Sequence, residues 1–575
     1  MKVTDAIAEI IKKNNIKNIF GLQGGAVVHI FDSLEKKKIN VTYNHHEQSA
    51  ALAAGANAKI TNNIGCAVVT TGPGTTNAIT GLLAAWQDSV PCLFISGQAR
   101  SSHVSYGKKV RQVGTQEVNI CDIVRPITKY TKFISKKEEV IKEFNKAINI
   151  AKSGRSGPVW LDVALEIQWA DIKKEVSKKI KFKKVKKDKA NYFKATDLLK
   201  SSKKPLFVLG YGVRSSGFDI DILNNFFKKN NLPFVLTWNT ADLFETRNPN
   251  NLGIIGMSGQ RGANKAIFES DLLICLGTHL AIPHTTTLYD TYALNAKKII
   301  VNIDANQMKN LNIKFDLKII DDVKFFLDFL VKQKKVKKNK IIHQNKKLNW
   351  YEPKTKKINS NIFLRELTSK IKDSKCLIVD GGGTALYTGF QSSFINKNDR
   401  VICSSSISAM GTGLAESIGV GQSKIFKNLI CIIGDGSFLM NCQDLQTIYQ
   451  NDYNITIIVV NNNGYLAIRH TQKEFLKRKY YGTSLEGNLS FPSYEKLSKA
   501  FKLKYFSINK VEKTKTIIKK LLNTKGPKIC ELFTDEDQDS LFKQGYKKNL
   551  NGTFSPMPLS EMYPYANKPI SNTNN

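Results

Sequence analysis

Leu429-Ile430-Cys431-Ile432-Ile433 runs into Gly434-Asp435-Gly436-Ser437, and Ile455-Thr456-Ile457-Ile458-Val459-Val460 runs into Asn461-Asn462-Asn463-Gly464. Apolar runs of this length, each closed by a polar or glycine-bearing turn, read as buried strands. Between them Phe438, Cys442, Leu445 and Tyr449 recur at helical spacing, which predicts a crossover helix with one buried face. A strand–helix–strand unit delivers both turns to the same edge of a sheet, so Asp435 and Asn462 are expected side by side. The glycines allow a sharp turn and close approach to a ligand. The amides of Gly436 and Ser437, at a helix start, favour phosphate. Asp435, the Asn462 amide oxygen and a backbone carbonyl at Gly464 are hard donors, suited to Mg²⁺ with phosphate oxygens completing its shell. A bare Gly-Asp-Gly is also an ordinary turn, and only its surroundings decide between the two.

Working outward, Cys376–Val379 reads as a strand ending in Asp380-Gly381-Gly382-Gly383-Thr384, a second candidate diphosphate cradle. Val401-Ile402-Cys403 and Lys528–Leu532 complete a third domain over 359–545, with a Pro- and Asn-rich tail over 546–575. Residues 1–170 alternate strand and helix patterns: strands at Asn18–Phe20, Asn40–Tyr43, Cys66–Thr70, Pro91–Ser96 and Pro158–Val163, and helices at Ala6–Lys12, Val28–Leu34 and Gln48–Lys59. Residues 190–330 form a second α/β unit, with strands at Pro205–Leu209, Pro233–Leu236, Leu272–Leu276 and Lys298–Ile303. Alternation of this density predicts an α/β chain of three doubly wound, parallel-sheet domains. Glu47 follows the Asn40–Tyr43 strand, where open sheets place ligand contacts; a helix-start carboxylate would occupy the same position. His45 and His46 have no partner set that would make them metal ligands.

The 575 residues carry a formal charge of +38, with lysines gathered in 171–189 and 331–358. Blocks of like charge repel and stay solvated, so both read as linkers. Few aromatics interleave with them, and no zinc-finger, RNA-recognition or P-loop pattern is present, so a nucleic-acid partner is not expected. No apolar run reaches the roughly 18 residues of a membrane span, so no membrane role is expected either. Nine cysteines without a Cys-x-x-Cys pair predict reduced core thiols in a cytoplasmic protein.

The spacing of the opening stretch carries a resemblance. Gly-Asp-Gly, then 24 residues (437 to 460), then Asn461-Asn462 resembles the signature of thiamine diphosphate enzymes. His46-Glu47-Gln48, Gly24-Gly25-Ala26, Thr71-Gly72-Pro73-Gly74-x-Thr76-Asn77, Asp88-Ser89-x-Pro91 and Ser96-Gly97-Gln98 resemble the pyrimidine-binding domain of the acetolactate synthase family. The resemblance covers roughly 1–545, in the order pyrimidine, central and diphosphate domains. It implies a thiamine diphosphate-dependent enzyme fold that binds the cofactor with Mg²⁺. It places the family's catalytic glutamate on Glu47, its active-site glutamine on Gln116 and the loop over the reacting carbon on Gly25. Cofactor contacts fall on Pro73, Asn77, Gly383, Gly436, Ser437 and Asn462, and the apolar wedge that bends the cofactor on Met410. In this family one subunit's glutamate completes another's diphosphate site, which implies a homodimer or homotetramer.

The resemblance implies decarboxylation of a 2-keto acid, most simply pyruvate, and transfer of the two-carbon remnant to a carbonyl acceptor. Two departures stand out. The family's Gly-Met-Val-x-Gln-Trp-Gln run is here Leu466-Ala467-Ile468-Arg469-His470-Thr471-Gln472. A larger acceptor, such as a deoxysugar ketone touched by Arg469 and His470, is therefore an alternative to a second pyruvate. A plain decarboxylase or acetyltransferase and a non-catalytic cofactor-binding partner are the others. In the central domain Ser215 stands where a dinucleotide fingerprint wants its third glycine. The segment that binds FAD in some members is here Gly277-Thr278-His279-Leu280-Ala281-Ile282, without arginine or aspartate, which argues against FAD.

Overall fold

The computed structural model describes residues 1–173, 188–333, 343–477 and 479–565. Most of the first basic linker, residues 334–342 of the second and 566–575 of the tail lie outside the described residues.

Three six-stranded sheets, every strand parallel to its neighbours, follow one another along the chain. The first contains β1 (Asn18–Gly21), β2 (Asn40–Tyr43), β3 (Gly65–Val69), β4 (Cys92–Gln98), β5 (Tyr130–Ile134) and β6 (Val159–Ala164), in the order β2-β1-β3-β4-β6-β5. The second contains β7 (Pro205–Leu209), β8 (Phe234–Leu236), β9 (Asn251–Ile254), β10 (Leu272–Leu276), β11 (Lys297–Asn302) and β12 (Leu317–Ile320), ordered β12-β11-β10-β7-β8-β9. The third contains β13 (Lys375–Val379), β14 (Arg400–Ile402), β15 (Asn428–Gly434), β16 (Ile455–Asn461), β17 (Lys504–Ile508) and β18 (Lys528–Phe533), ordered β14-β13-β15-β16-β18-β17. Numbered within their own domains, the first and third sheets share the order 2-1-3-4-6-5. Their central strands are buried on both faces, which is why they read as unbroken apolar runs.

Four strands of these three sheets, β5, β9, β12 and β17, were not expected from the sequence. The helix predicted between β15 and β16 is also not continuous. A short helix, Asp435–Leu439, stops at Asn441 (φ −138°), and Leu445–Gln450 resumes after a 3-10 turn. The Asn441 side chain explains the break. Its Nδ2 donates to Gly411 O at 2.9 Å, and its Oδ1 accepts from Ser49 Oγ at 2.9 Å. The second basic stretch also departs from a solvated linker. Residues His343–Asn349 form a 3-10 helix, and Asn349 Oδ1 accepts the Gly262 and Ala263 amides that open helix Arg261–Glu269. A buried asparagine that caps a helix holds this part of the chain down despite its lysines.

The first and third domains meet through small residues. Helix Glu47–Thr61, whose Ala50, Ala51, Ala53 and Ala54 are all buried, packs on helix Thr412–Ser423. A Cβ at Gly419 would lie 2.1 Å from Ala53 O, so the backbones approach too closely for any side chain there. Asn57 Nδ2 donates to Gly419 O at 2.9 Å, and Lys59 Nζ to Cys403 O at 2.7 Å. Lys59 also pairs with Asp88 at 2.8 Å. The other Asp88 oxygen accepts from Asn239 of the central domain and Ser406 N of the third. One buried aspartate thus ties all three domains, and burial lifts the neighbouring Glu416 to about 7 against the pull of Lys59 and the Ser404 hydroxyl.

Candidate active site

The carboxyl ends of β15 and β16 bring the two turns of the opening stretch together. Asp435 is buried; its Oδ1 accepts Gly436 N at 2.8 Å. Its Oδ2 accepts Asn462 N at 3.0 Å and Gly464 N at 3.1 Å. Burial pushes the carboxyl up to about 6, and these three amides pull against it. The Gly436 amide, read from sequence as a phosphate donor, is therefore already held by Asp435 within a five-residue helix. Gly464 has φ 153°, and a Cβ there would meet Thr483 O at 2.0 Å. Only glycine fits that position.

The diphosphate cradle predicted after β13 lies beside this loop. Asp380, fully buried, accepts Gly382 N and Gly413 N at 2.9 Å each, and Gly381 N donates to Thr412 Oγ1. The site of a Cβ on Gly382 lies 2.3 Å from Ser437 Oγ and 3.4 Å from Met410 Cγ. Gly383, Met410, Ser437, Asp435, Asn462 and Gly464 thus form one cluster on the third sheet.

The residues singled out in the first domain form another. Glu47 begins its helix, buried, and Oε2 accepts Asn77 Nδ2 at 3.0 Å. Gly74, next to Pro73, brings its would-be Cβ within 3.4 Å of Glu47 Oε1. Gln116 is exposed at φ 59°; its carbonyl accepts Thr71 Oγ1 at 3.3 Å and lies 2.3 Å from a Cβ on Gly72. Gly25 is exposed, with open space around it. His46 caps the Glu47 helix, its Nδ1 accepting Gln48 N. Sequence reasoning did not single out Asp162. It is fully buried, accepts from Ser96, Gln98 and Tyr106, and underlies the Gln98 that takes the Thr71 hydroxyl. Among the described residues no hydrogen bond or ion pair joins this first cluster directly to the one on the third sheet.

Arg469 and His470 part company. Arg469 is buried beneath the 461–464 loop rather than facing a pocket, which corrects its reading as an acceptor contact. His470 faces a cavity of about 530 Å³, together with Gly383, Ala467, Thr471, Phe475 and Tyr546. The tail helps to wall it: Phe475 stacks edge-on with Phe554 at 4.7 Å and with Tyr546 at 6.0 Å. The tail is then anchored by pairing of Lys543 with Tyr563 and by Arg261 donating to Pro564 O.

The donors fit the implied groups. Asp435 is a buried carboxylate hydrogen-bonded by three amides, next to an amide oxygen and a glycine loop; a Mg²⁺ ion would give it the direct cationic partner that its hydrogen bonds do not. Among the described residues no trio of His, Cys, Asp or Glu could hold a metal, so an ion bound here would depend on one carboxylate with amide and backbone oxygens. FAD fits less well. Gly212 N donates to Gly277 O at 2.9 Å, and a Cβ on Gly212 would lie 2.6 Å from Gly277 Cα. These glycines serve the packing of two turns at the β7–β10 crevice. The adjoining cavities, about 250 and 790 Å³, carry Lys152, Arg155 and Lys129. All three are engaged, by Asn63, by Asp304 and by the carbonyls of Ile150 and Ser153.

Comparison with known proteins places this geometry in a class. Three family models match in order: the thiamine pyrophosphate enzyme N-terminal TPP binding domain over 1–123, the central domain over 193–330 and the C-terminal TPP binding domain over 381–532. The chain belongs to the thiamine pyrophosphate enzymes (thiamine pyrophosphate is thiamine diphosphate), and it is an enzyme dependent on that cofactor. Its similar proteins narrow the class. It is 30% identical to an acetolactate synthase large subunit of Cyanidium caldarium over 558 residues, 92% of this chain and 93% of that one. It is 27% identical to the acetolactate synthase isozyme 2 large subunit of Escherichia coli K12, over 92% and 95% of the two chains. It is 29% identical to a probable acetolactate synthase large subunit of Methanocaldococcus jannaschii, over 93% and 92%.

Proposed function

We propose that the protein decarboxylates pyruvate and joins the two-carbon remnant to a second 2-keto acid, forming acetolactate, with thiamine diphosphate and Mg²⁺ as cofactors. The observation that carries this is Glu47, a buried carboxylate hydrogen-bonded to Asn77 at the ligand edge of the first sheet. When bound, thiamine diphosphate supplies the nucleophilic carbon that takes a 2-keto acid through loss of CO₂. Glu47 holds and moves a proton at the pyrimidine end. Asp435, Asn462 Oδ1 and the Gly464 carbonyl hold Mg²⁺, while Gly383 and Ser437 face the diphosphate and Met410 wedges the cofactor. Gly25 and Gln116 close over the reacting end. The two clusters lie on separate sheets with no direct bond between them among the described residues, which suits a homodimer or larger assembly in which each copy supplies half of a site. Nine unpaired cysteines suit the reducing cytoplasm.

The test is product analysis of the purified protein with pyruvate, omitting thiamine diphosphate or Mg²⁺ in turn. Acetolactate dependent on both is the expected result; CO₂ without acetolactate would remove the proposed acceptor. That second outcome would favour the other reading, an acceptor larger than pyruvate such as a deoxysugar ketone. The 530 Å³ cavity beside Gly383, opened by the small side chains of Ala467 and Thr471, favours it. We also propose that the protein works without FAD. It should purify without visible flavin absorbance and show no gain in rate on adding FAD; stoichiometric flavin would overturn this.

A further inference from the structure

Arg469 lies in helix Leu466–Phe475 and is 4% exposed. Backbone carbonyls from four residues converge on its guanidinium. Nη2 donates to Asn462 O at 2.8 Å and Glu536 O at 2.5 Å. Nη1 donates to Asn463 O at 3.1 Å and Thr483 O at 3.4 Å. Nη2 also reaches Asn462 Oδ1 at 3.3 Å. A Cβ on Gly464 would lie 2.5 Å from Nη1, so the loop is seated directly on the guanidinium. The arrangement resembles a carbonyl-lined cation site filled by a side chain.

We propose that Arg469 is the positioning residue of the metal loop. Its planar fork gathers carbonyls from three chain segments and fixes Asn462 Oδ1, so the 461–464 loop has its metal-binding shape before an ion arrives. This rests on the reading of Asp435, Asn462 and Gly464 as Mg²⁺ donors. Two effects oppose each other. The positive charge repels Mg²⁺, whereas preorganisation strengthens its binding. Arg469 directs its donors at five oxygens, and its Nε is buried without a partner among the described residues. The geometry is that of a brace, and preorganisation prevails. A lysine keeps the charge but cannot span carbonyls from four residues with one ammonium.

The test is calorimetric titration of thiamine diphosphate into the full-length protein at graded Mg²⁺, for wild type, Arg469→Lys and Arg469→Gln. Both variants should need about 10–100-fold more Mg²⁺ for half-maximal binding, the range for losing a partner that orients a metal ligand. Thiamine diphosphate binding lost at low Mg²⁺ should return as Mg²⁺ is raised. Tighter Mg²⁺ binding in Arg469→Gln would show that charge repulsion prevails and overturn the proposal. An unchanged Mg²⁺ requirement in Arg469→Lys, with wild type Mg²⁺-dependent, would overturn this inference alone. Wild-type binding independent of Mg²⁺ would overturn the metal reading and this inference with it. If the variants do not fold, amide exchange in the metal-free wild type decides. Slow exchange at Asn462 and Gly464 supports a preformed loop; fast exchange that slows only with Mg²⁺ refutes it.

Discussion

Glu47→Gln lowers turnover by at least about 10²-fold and leaves thiamine diphosphate bound, because proton transfer by a placed side chain is worth roughly 10²–10⁴ in rate. Glutamine has the shape of the glutamate and still presents an oxygen to Asn77 Nδ2, now 3.0 Å from Glu47 Oε2. The buried start of helix Glu47–Thr61 therefore keeps its packing, and cofactor affinity should change little. What glutamine lacks is a carboxyl oxygen that can give up a proton and take it back. Rate and affinity should thus separate, the first measured with pyruvate at saturating cofactor and the second by calorimetry. Wild-type turnover in the variant would remove Glu47 from catalysis. Loss of affinity with unchanged turnover at saturation would make it a binding residue only.

Asp435→Ala acts on the other cluster and abolishes Mg²⁺-dependent retention of thiamine diphosphate through gel filtration. The substitution removes the one charged donor of the proposed metal site. It also removes the acceptor of three amides, Gly436, Asn462 and Gly464, so the loop loses its tie to β15. The loss should exceed the roughly 10–100-fold that follows removal of an outer-shell partner. Asp435→Asn separates the two contributions, since an amide oxygen still accepts those bonds but carries no charge. Retention unchanged in Asp435→Ala would exclude Asp435 from the metal site.

The sequence was legible where burial is complete and less so at the margins, where β2 and β14 were read but four other edge strands were not. β13, β15, β16 and β18 lie in or beside the middle of their sheet, and their apolar runs are almost pure. The four unexpected strands, β5, β9, β12 and β17, are all sheet edges. Their sequences, Tyr-Thr-Lys-Phe-Ile, Asn-Leu-Gly-Ile, Leu-Lys-Ile-Ile and Lys-Tyr-Phe-Ser-Ile, mix polar and lysine residues into the run. Charged and polar side chains are how edges resist further pairing, so the property that protects these strands also hides them. The site shows the same division. Asp435 and Asn462 could be placed together because two strands joined by a crossover helix run parallel and end on the same sheet edge. Arg469 could not be placed, because nothing local to residue 469 announces that carbonyls from residues 483 and 536 will converge on it. Asn441 ended a helix that its neighbours' periodicity continues, through bonds to Gly411 and Ser49, both distant in sequence.

The matching strand orders of the first and third sheets, 2-1-3-4-6-5 in each, have a consequence for how a two-ended molecule is read. In both domains a pair of the proposed contacts follows the first and third strands, at the crevice where the winding reverses: Gly25 after β1 and Pro73 after β3, Gly383 after β13 and Asp435 after β15. One scaffold, used twice, offers two crevices of the same backbone pattern to ends that differ in chemistry. The polarity of the bound molecule would then rest on the few groups that differ between them, the proposed proton-handling Glu47 at one crevice and the proposed metal donor Asp435 at the other. Exchanging a few residues between the crevices would blur that polarity before it disturbed either sheet.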